Sequence, residues 1–419
     1  MTTVKDTNAV TSGQSPEQQN KPQETIRESH FHRKSLEFCG LVPEPDVTPD
    51  VTVVVPCYNV EVYLEQCLET ILQNDKVQLE VIVINDGSKD KTLEIAKEFE
   101  SKYQSIHVID KPNGGYGLGV NVGFDNAHGT YVAIVEPDDY VRPHFYDECF
   151  AYAQSFDTLP DIVKTPYIRI NLPMTPEENE LHCAYYHRLK LDKQPFTLHD
   201  CPRLIQHHPS IWSALYLRSF LNEFTIRMME IPGAGWVDNP FLIETMVQAR
   251  SIVFLDKEFY CYREDLPGSS SMLRATELAF TRWNQMQDIL EDLHVEDPAI
   301  LSAHTVRGFI YLSGIMSEAS IAGTDAEKTM LQIFNRMQPE IVFTTKNIPN
   351  GFKQFYANAM GIENPQFNKE LYRKALVEEF AYSWRTNGPG FAFSRIGIFI
   401  ARKLKIAAND PTHTASAGI

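Results

Sequence analysis

The feature that most constrains this chain is an alternation of two periodicities between residues 51 and 135. Val51-Thr52-Val53-Val54-Val55 is a β-branched run bounded by Pro56, which fits a buried strand. Leu64, Leu68, Ile71 and Leu72 then recur at helical spacing, and the run 79–84 (LEVIVI) predicts a second strand. Leu93, Ala96, Phe99 and Tyr103 mark a second helix, Ile106 to Ile109 a third strand, 117–127 a short helix, and Tyr131 to Val135 a fourth strand. Strands that alternate with helices over short links predict an α/β fold, a mostly parallel sheet with helices on both faces. Further strand-like pieces lie at 161–164, 211–217 and 252–262, with a helix over 239–249. From 275 to 385 the pattern is mainly helical, which predicts a helical C-terminal extension.

Composition narrows the function. With 38 basic and 55 acidic residues the net charge is −17, which argues against a nucleic-acid partner. The seven cysteines are odd in number and form no C-x-x-C, so neither a disulfide framework nor a zinc knuckle is expected, and a reducing cytoplasm fits. Of residues 1–29, 17 are Ser, Thr, Asn, Gln, Pro or Gly, too polar to order themselves and without the apolar core of a secretory signal. No run of 18 apolar residues exists, so no membrane span is expected.

In an open α/β sheet, ligands bind outside the carboxyl ends of the strands. Here those ends read Pro56-Cys57-Tyr58-Asn59, Asn85-Asp86-Gly87-Ser88-Lys89-Asp90 and Glu136-Pro137-Asp138-Asp139. One rim thus gathers a ring, an amide and several carboxylates. The P-loop and dinucleotide glycine signatures are absent, and Asn113-Gly114-Gly115-Tyr116-Gly117-Leu118-Gly119 fits neither. An acidic rim repels a bare polyphosphate but accepts one through a divalent cation. Ring stacking, carboxylates and a metal together suggest a nucleotide ligand.

The segments VVVPCYN (53–59), VINDGSKDKT (83–92), NGGYGLGVNVGFDNAHGTY (113–131) and VEPDDYV (135–141) closely resemble the amino-terminal half of inverting family 2 glycosyltransferases with the GT-A fold. SALYLRSFL (213–221), PGAGWVDNPF (232–241) and YCYREDLPGSSS (260–271) resemble acceptor-side motifs of bacterial members that build cell-surface polysaccharides. The resemblance implies that Pro56, Tyr58 and Asn59 lie against base and ribose, and that Asp86 recognises the base, usually uracil. It implies that Asp138 holds Mn²⁺ or Mg²⁺ against the donor diphosphate, with Glu136 touching sugar or ribose and Asp139 holding the loop. Glu136 departs from the family's Asp-x-Asp, and Val237 stands where many relatives have Glu. Asp238 is the implied catalytic base; Asp-Asn-Pro is equally a good helix start, with Asp as N-cap. There the helix dipole would keep it ionised. Trp236 is a candidate to stack on an acceptor sugar, or else core. Arg263, with Lys111 a weaker candidate, either approaches the pyrophosphate or forms an ordinary ion pair, and the glycines, Gly115 among them, would let the backbone pass close to the donor sugar. Asp90 and Thr92 fit helix-start residues. His187, His207 and His208 belong to no motif and are not assigned a role.

Residues 391–407 carry four basic and no acidic residues among aromatic and aliphatic ones, against the sign of the whole chain. They form either a basic amphipathic helix at a membrane surface or a terminal helix docked on the core. The expected organisation is a loose tail (1–42), a GT-A domain (43–271), a helical subdomain (272–390), and a basic helix and tail (391–419). The resemblance implies a metal-dependent transferase of the cytoplasmic membrane face. It would move a hexose or N-acetylhexosamine from a nucleotide sugar, most simply a UDP sugar, to a glycan or lipid-linked acceptor. A degenerate sugar-nucleotide-binding scaffold, or a nucleotidyltransferase, remain as rivals.

Overall fold

A computed structural model describes residues 33–409 apart from 190, 265, 267–275 and 317–324. The 1–29 tail, the Gly-Ser loop 268–271 and the last ten residues therefore lie outside the described residues. The first half runs β1 (Val51–Cys57), α1 (Leu64–Ile71), β2 (Leu79–Asp86), α2 (Thr92–Lys102), β3 (Ile106–Lys111), α3 (Tyr116–Asn126), β4 (Tyr131–Ile134), β5 (Tyr140–Val141) and α4 (Phe145–Gln154). Then come β6 (Ile162–Lys164), β7 (Tyr167–Asn171), β8 (Asn179–His182), β9 (Ala214–Leu217), α5 (Arg218–Glu223), α6 (Asp238–Gln248), β10 (Ile252–Phe254) and β11 (Tyr260–Arg263). Among the described residues six helices follow: α7 (Thr276–Asp292), α8 (Pro298–Met316), α9 (Asp325–Arg336), α10 (Pro339–Thr344), α11 (Asn350–Ala359) and α12 (Lys369–Asn409). The last is kinked at Gly388, ahead of Pro389.

The central sheet has the order β10-β6-β9-β4-β1-β2-β3, parallel except for β9. All seven residues of β1 are buried, as a strand covered on both faces requires. Pro56 does not end the strand; pairing continues to Cys57 opposite Asn85. Because β2 and β4 flank β1 on opposite sides, the winding reverses at β1. The carboxyl ends of β1 and β4 therefore open onto the crevice where α/β sheets take ligands. Antiparallel β9 starts at the same rim, where Ala214 pairs with Lys164 at the end of β6.

The stretch 252–262 is two strands, not one. β10 closes the central sheet, while β11 joins a small sheet of order β5-β11-β7-β8. The charged run Asp256-Lys257-Glu258 cannot continue a buried strand, so the chain leaves one sheet there and enters the other. This second sheet sits directly under the Glu136–Asp139 turn, since β5 follows Asp139.

Residues 33–42, assigned from composition to a loose tail, are docked. Arg33 and Arg227 both pair with the buried Asp125 of α3, and Glu230 accepts from the Lys34 and Ser35 amides. Two cations on one carboxylate compensate its burial. The hydrophobic core runs without a break from Val42 through the sheet to Tyr356. Trp283 of α7, stacked on His304 of α8 at 4.6 Å, belongs to it, so the helices share the core of the sheet.

The glycine run serves this packing. Gly115 has φ +95°, and a Cβ there would meet the Ile231 carbonyl at 2.2 Å. One at Gly117 would meet the Met229 carbonyl at 2.1 Å. The start of α3 is thus pressed against the 229–233 segment, and the Tyr116 amide donates to the Gly233 carbonyl at 3.0 Å. Gly119 is different, because its nearest neighbour, Pro56 Cβ, would lie at an ordinary 3.5 Å. Urea unfolding separates the two. Gly117→Ala should destabilise by about 2 kcal/mol or more, whereas Gly119→Ala should stabilise by roughly 0.5 kcal/mol.

Candidate active site

The turn after β4 is held from beneath. The Asp139 amide donates to the Glu136 carbonyl at 3.0 Å, closing the turn. Buried Asp139 accepts from the Tyr260 hydroxyl at 2.9 Å and the Arg263 amide at 2.8 Å. The Tyr260 hydroxyl in turn accepts from the Glu136 amide at 3.0 Å. Burial, then the neighbouring Asp138, pushes the Asp139 carboxyl well above the usual carboxylate range. Arg263 is nearly inaccessible and points inward. Its guanidinium donates to the Asp138 carbonyl at 2.5 Å and to Gln66, and lies 4.8 Å from the Tyr140 ring. It fastens the turn from behind, and is neither a surface ion pair nor a group facing the rim.

Above the turn lies a cavity of about 560 Å³. Glu136, Asp138, Trp236 and Asp238 share it, although the sequence separates the first pair from the second by about a hundred residues. The Tyr116 hydroxyl donates to Glu136 Oε1 at 2.6 Å. Burial, with Asp138 second, raises the Glu136 carboxyl to about 8. Burial also raises Asp138. Among the described residues no three His, Cys, Asp or Glu side chains form a ready metal cage. The cavity does offer hard carboxylate oxygen from Asp138, and Arg263 takes that residue's carbonyl, not its carboxylate. Such a site suits Mg²⁺ or Mn²⁺ completing its shell with substrate phosphate and water.

Asp238 opens α6, but Val237 occupies the N-cap position and no side chain caps the helix. Asp238 instead accepts from Asn239 Nδ2 at 2.9 Å. Burial raises its carboxyl, an effect that outweighs both the helix end and the nearby Arg307. The carboxylate is consequently a stronger base than the helix dipole alone would leave it. Trp236, with φ +55°, faces Tyr311 at 6.0 Å.

The remaining candidates stand outside this cavity. Tyr58 is half exposed beyond β1. Asn59 ties the β1 and β2 loops together, accepting from the Lys89 amide at 2.8 Å. Pro56 is buried inside β1. Both oxygens of Asp86 are engaged within the chain, accepting from the Gly114 and Gly115 amides at 2.9 Å and from buried Lys111. That ion pair removes Lys111 from the rim. Asp90 accepts from the Thr92 amide at 3.0 Å at the start of α2.

The cavity also holds residues to which the sequence assigned no role. His207 and His208 line it, as do the Arg169–Glu264 pair, joined at 2.6 and 2.7 Å, and Arg307 and Tyr311 of α8. Burial lowers His207 to about 4 and His208 to about 3, so both are neutral at pH 7. His208 Nδ1 accepts from the Ser210 amide at 3.1 Å, which puts its proton on Nε2. His187 lies elsewhere, paired with Asp256. No local motif marks these added residues, because elements distant in the sequence bring them together.

The family model for glycosyl transferase family 2 matches residues 52–207. Glycosyltransferase GlyG of Streptococcus pneumoniae is 34% identical over 223 residues, covering 51% of this chain and 70% of its own length. EpsJ of Bacillus subtilis, an uncharacterized glycosyltransferase, is 28% identical over 237 residues. That match covers 52% of this chain and 62% of EpsJ, so the chain spans less than two thirds of that relative. Among solved structures, residues 1–349 of S. aureus TarS in complex with UDP-GlcNAc align with TM-score 0.58 at 19% identity, over 78% of this chain and 92% of that one. The mostly parallel sheet with its helical C-terminal region is thus the GT-A architecture. Among the described residues no helix is long and apolar enough to cross a membrane.

One wall of the cavity is anchored by a buried lysine. Lys164 donates to the Ser210 carbonyl and to Ser213 Oγ, both at 2.6 Å, which holds the loop carrying Trp212. Burial lowers its ammonium to about 7. A folded-state value below the unfolded one means that the unfolded chain binds the extra proton between those two values. The stability it contributes is present above about pH 10 and lost as pH falls to about 7. Urea midpoints should therefore rise from pH 7 to pH 9.5 more steeply in the wild type than in Lys164→Met.

Proposed function

The chain belongs to glycosyl transferase family 2, and from that premise we propose that it transfers a hexose or N-acetylhexosamine from a UDP sugar to a glycan hydroxyl with inversion. The observation that carries this reading is the shared cavity at the β1–β4 crevice, with Glu136 and Asp138 on one side and Asp238 beside Trp236 on the other. The choice of UDP follows TarS, whose structure holds UDP-GlcNAc.

In this reading Asp238 takes the proton of the acceptor hydroxyl. The acceptor oxygen attacks the anomeric carbon from the face opposite the nucleotide, and the carbon–oxygen bond to the diphosphate breaks, UDP leaving with the electron pair. Glu136, steadied by Tyr116, borders the donor sugar, and Trp236 offers its ring to the acceptor. Asp138 would hold Mg²⁺ or Mn²⁺, which neutralises charge on the departing diphosphate. Tyr58 and Asn59, on the exposed rim, are assigned to base and ribose. Asp86, which also braces its turn by accepting from the Gly114 and Gly115 amides, is assigned to the base, and Gly115 brings Tyr116 up to Glu136. Holding the two substrates in line supplies much of the rate. The product would serve cell-surface polysaccharide synthesis on the cytoplasmic side. The basic 391–407 stretch, helical to Asn409, would rest on the membrane.

Release of UDP from a panel of UDP sugars, with simple glycosides as acceptors, tests the reading. Release should require Mn²⁺ or Mg²⁺ and vanish with EDTA or in Asp138→Ala. Asp238→Asn should lower transfer by about 10²–10⁴-fold while donor KM changes little. Donor binding without release by any sugar or acceptor would favour the scaffold alternative.

A further inference from the structure

Arg307 sits in the helical region that carries no motif, yet it lies near the proposed base. It is 2% exposed. One terminal nitrogen donates to the Ile205 carbonyl at 2.9 Å and the His207 carbonyl at 2.6 Å. The other donates to Asn239 Oδ1, and Nε donates to the Tyr311 hydroxyl at 2.9 Å. That hydroxyl donates in turn to Asn239 Oδ1 at 2.7 Å.

This pattern leaves the Asn239 amide only one orientation. Its oxygen accepts from two donors, so its NH₂ must face the other way, where it donates to Asp238 Oδ1 at 2.9 Å and to the Trp236 carbonyl at 3.3 Å. A flipped amide would set N–H against N–H at the arginine. The same guanidinium thus reaches the carboxylate through one amide, and the backbone of the acceptor-side tryptophan through the other proton of that amide. Through Tyr311, whose ring faces Trp236 at 6.0 Å, it reaches the tryptophan ring as well. By its carbonyl contacts it also fixes the loop that delivers His207 and His208 to the cavity.

We propose that Arg307 is a positioning residue for transfer, setting the orientation of the Asp238 carboxylate through Asn239 and making the helical region a working wall of the active site. The proposal rests on the reading of Asp238 as the base. The charged and titratable groups that act on Asp238 come from every side: Tyr116 and Glu136 from the sheet half, Arg282 from α7, and Arg307 and Tyr311 from α8. Of these, Arg307 is the cation joined to it by an unbroken hydrogen-bonded chain. Arg282 spends its Nε on the Gly235 carbonyl at 2.5 Å.

The experiment uses the full chain labelled at aspartate carboxyls with ¹³C, and needs no substrate for its first readout. The Asp238 signal is identified by its loss in Asp238→Asn. Arg307→Gln should move its titration to higher pH, and Arg307→Lys should restore much of the difference. Asn239→Ala leaves the Arg307 contacts to Ile205 and His207 in place and should also move it. It serves if Arg307→Gln does not fold. An Asp238 titration unchanged in these variants overturns the proposal. In the transfer assay, Arg307→Gln should cut kcat by about 10–100-fold with donor KM within about 2-fold. It should cost nothing further in an Asp238→Asn background, whereas an effect that simply multiplies would mark a merely structural role. Full transfer by Asp238→Asn itself would sink the base reading alone, because the titration reports the coupling independently.

Discussion

The structure depends on keeping several carboxylates together where water is scarce. Glu136, Asp138, Asp139 and Asp238 all lie in or beneath one cavity, and burial raises every one of them. Such groups repel one another and lose hydration, so they stay in place only where the surrounding chain answers each of them. Tyr260 and the Arg263 amide answer Asp139, Tyr116 answers Glu136, and Asn239 answers Asp238. The small second sheet and the glycine-bearing start of α3 deliver the first two sets of donors, and α8 holds the third, Asn239 of α6, in its orientation.

Much of the frame was legible in the sequence because it follows local periodicity. The valine run, the LEVIVI run and the Tyr131–Val135 run each become a strand of the central sheet, and their alternation with helices dictates parallel pairing. The chemistry at the strand ends was legible for the same reason. A strand's last residues must face the rim, so Glu136 and Asp138 could be placed without knowing what lies opposite.

What the sequence concealed is direction and long-range partnership. An arginine at a strand end looks like a phosphate ligand, but Arg263 turns inward, where the Asp138 carbonyl and the Tyr63 and Tyr140 rings receive it. Asp86 also gives its carboxylate to two glycine amides and a lysine some 25 residues on, contacts that only the closed turn creates. Arg307 and the adjacent His207 and His208 belong to segments with no motif, and their meaning appears only when the shared core presses α8 against the 205–207 loop.

The close approach of α3 to the 229–233 segment has a consequence for how such a protein can diverge. Where a helix start and a distant loop touch through bare backbone, neither side has a side chain with which to absorb a change in the other. The segment that carries Tyr116 and the segment that leads into Trp236 and Asp238 must therefore be altered together or left alone. Changes in the cavity's shape would more easily arise from the histidine loop and from α8, where side chains rather than main chain set the spacing.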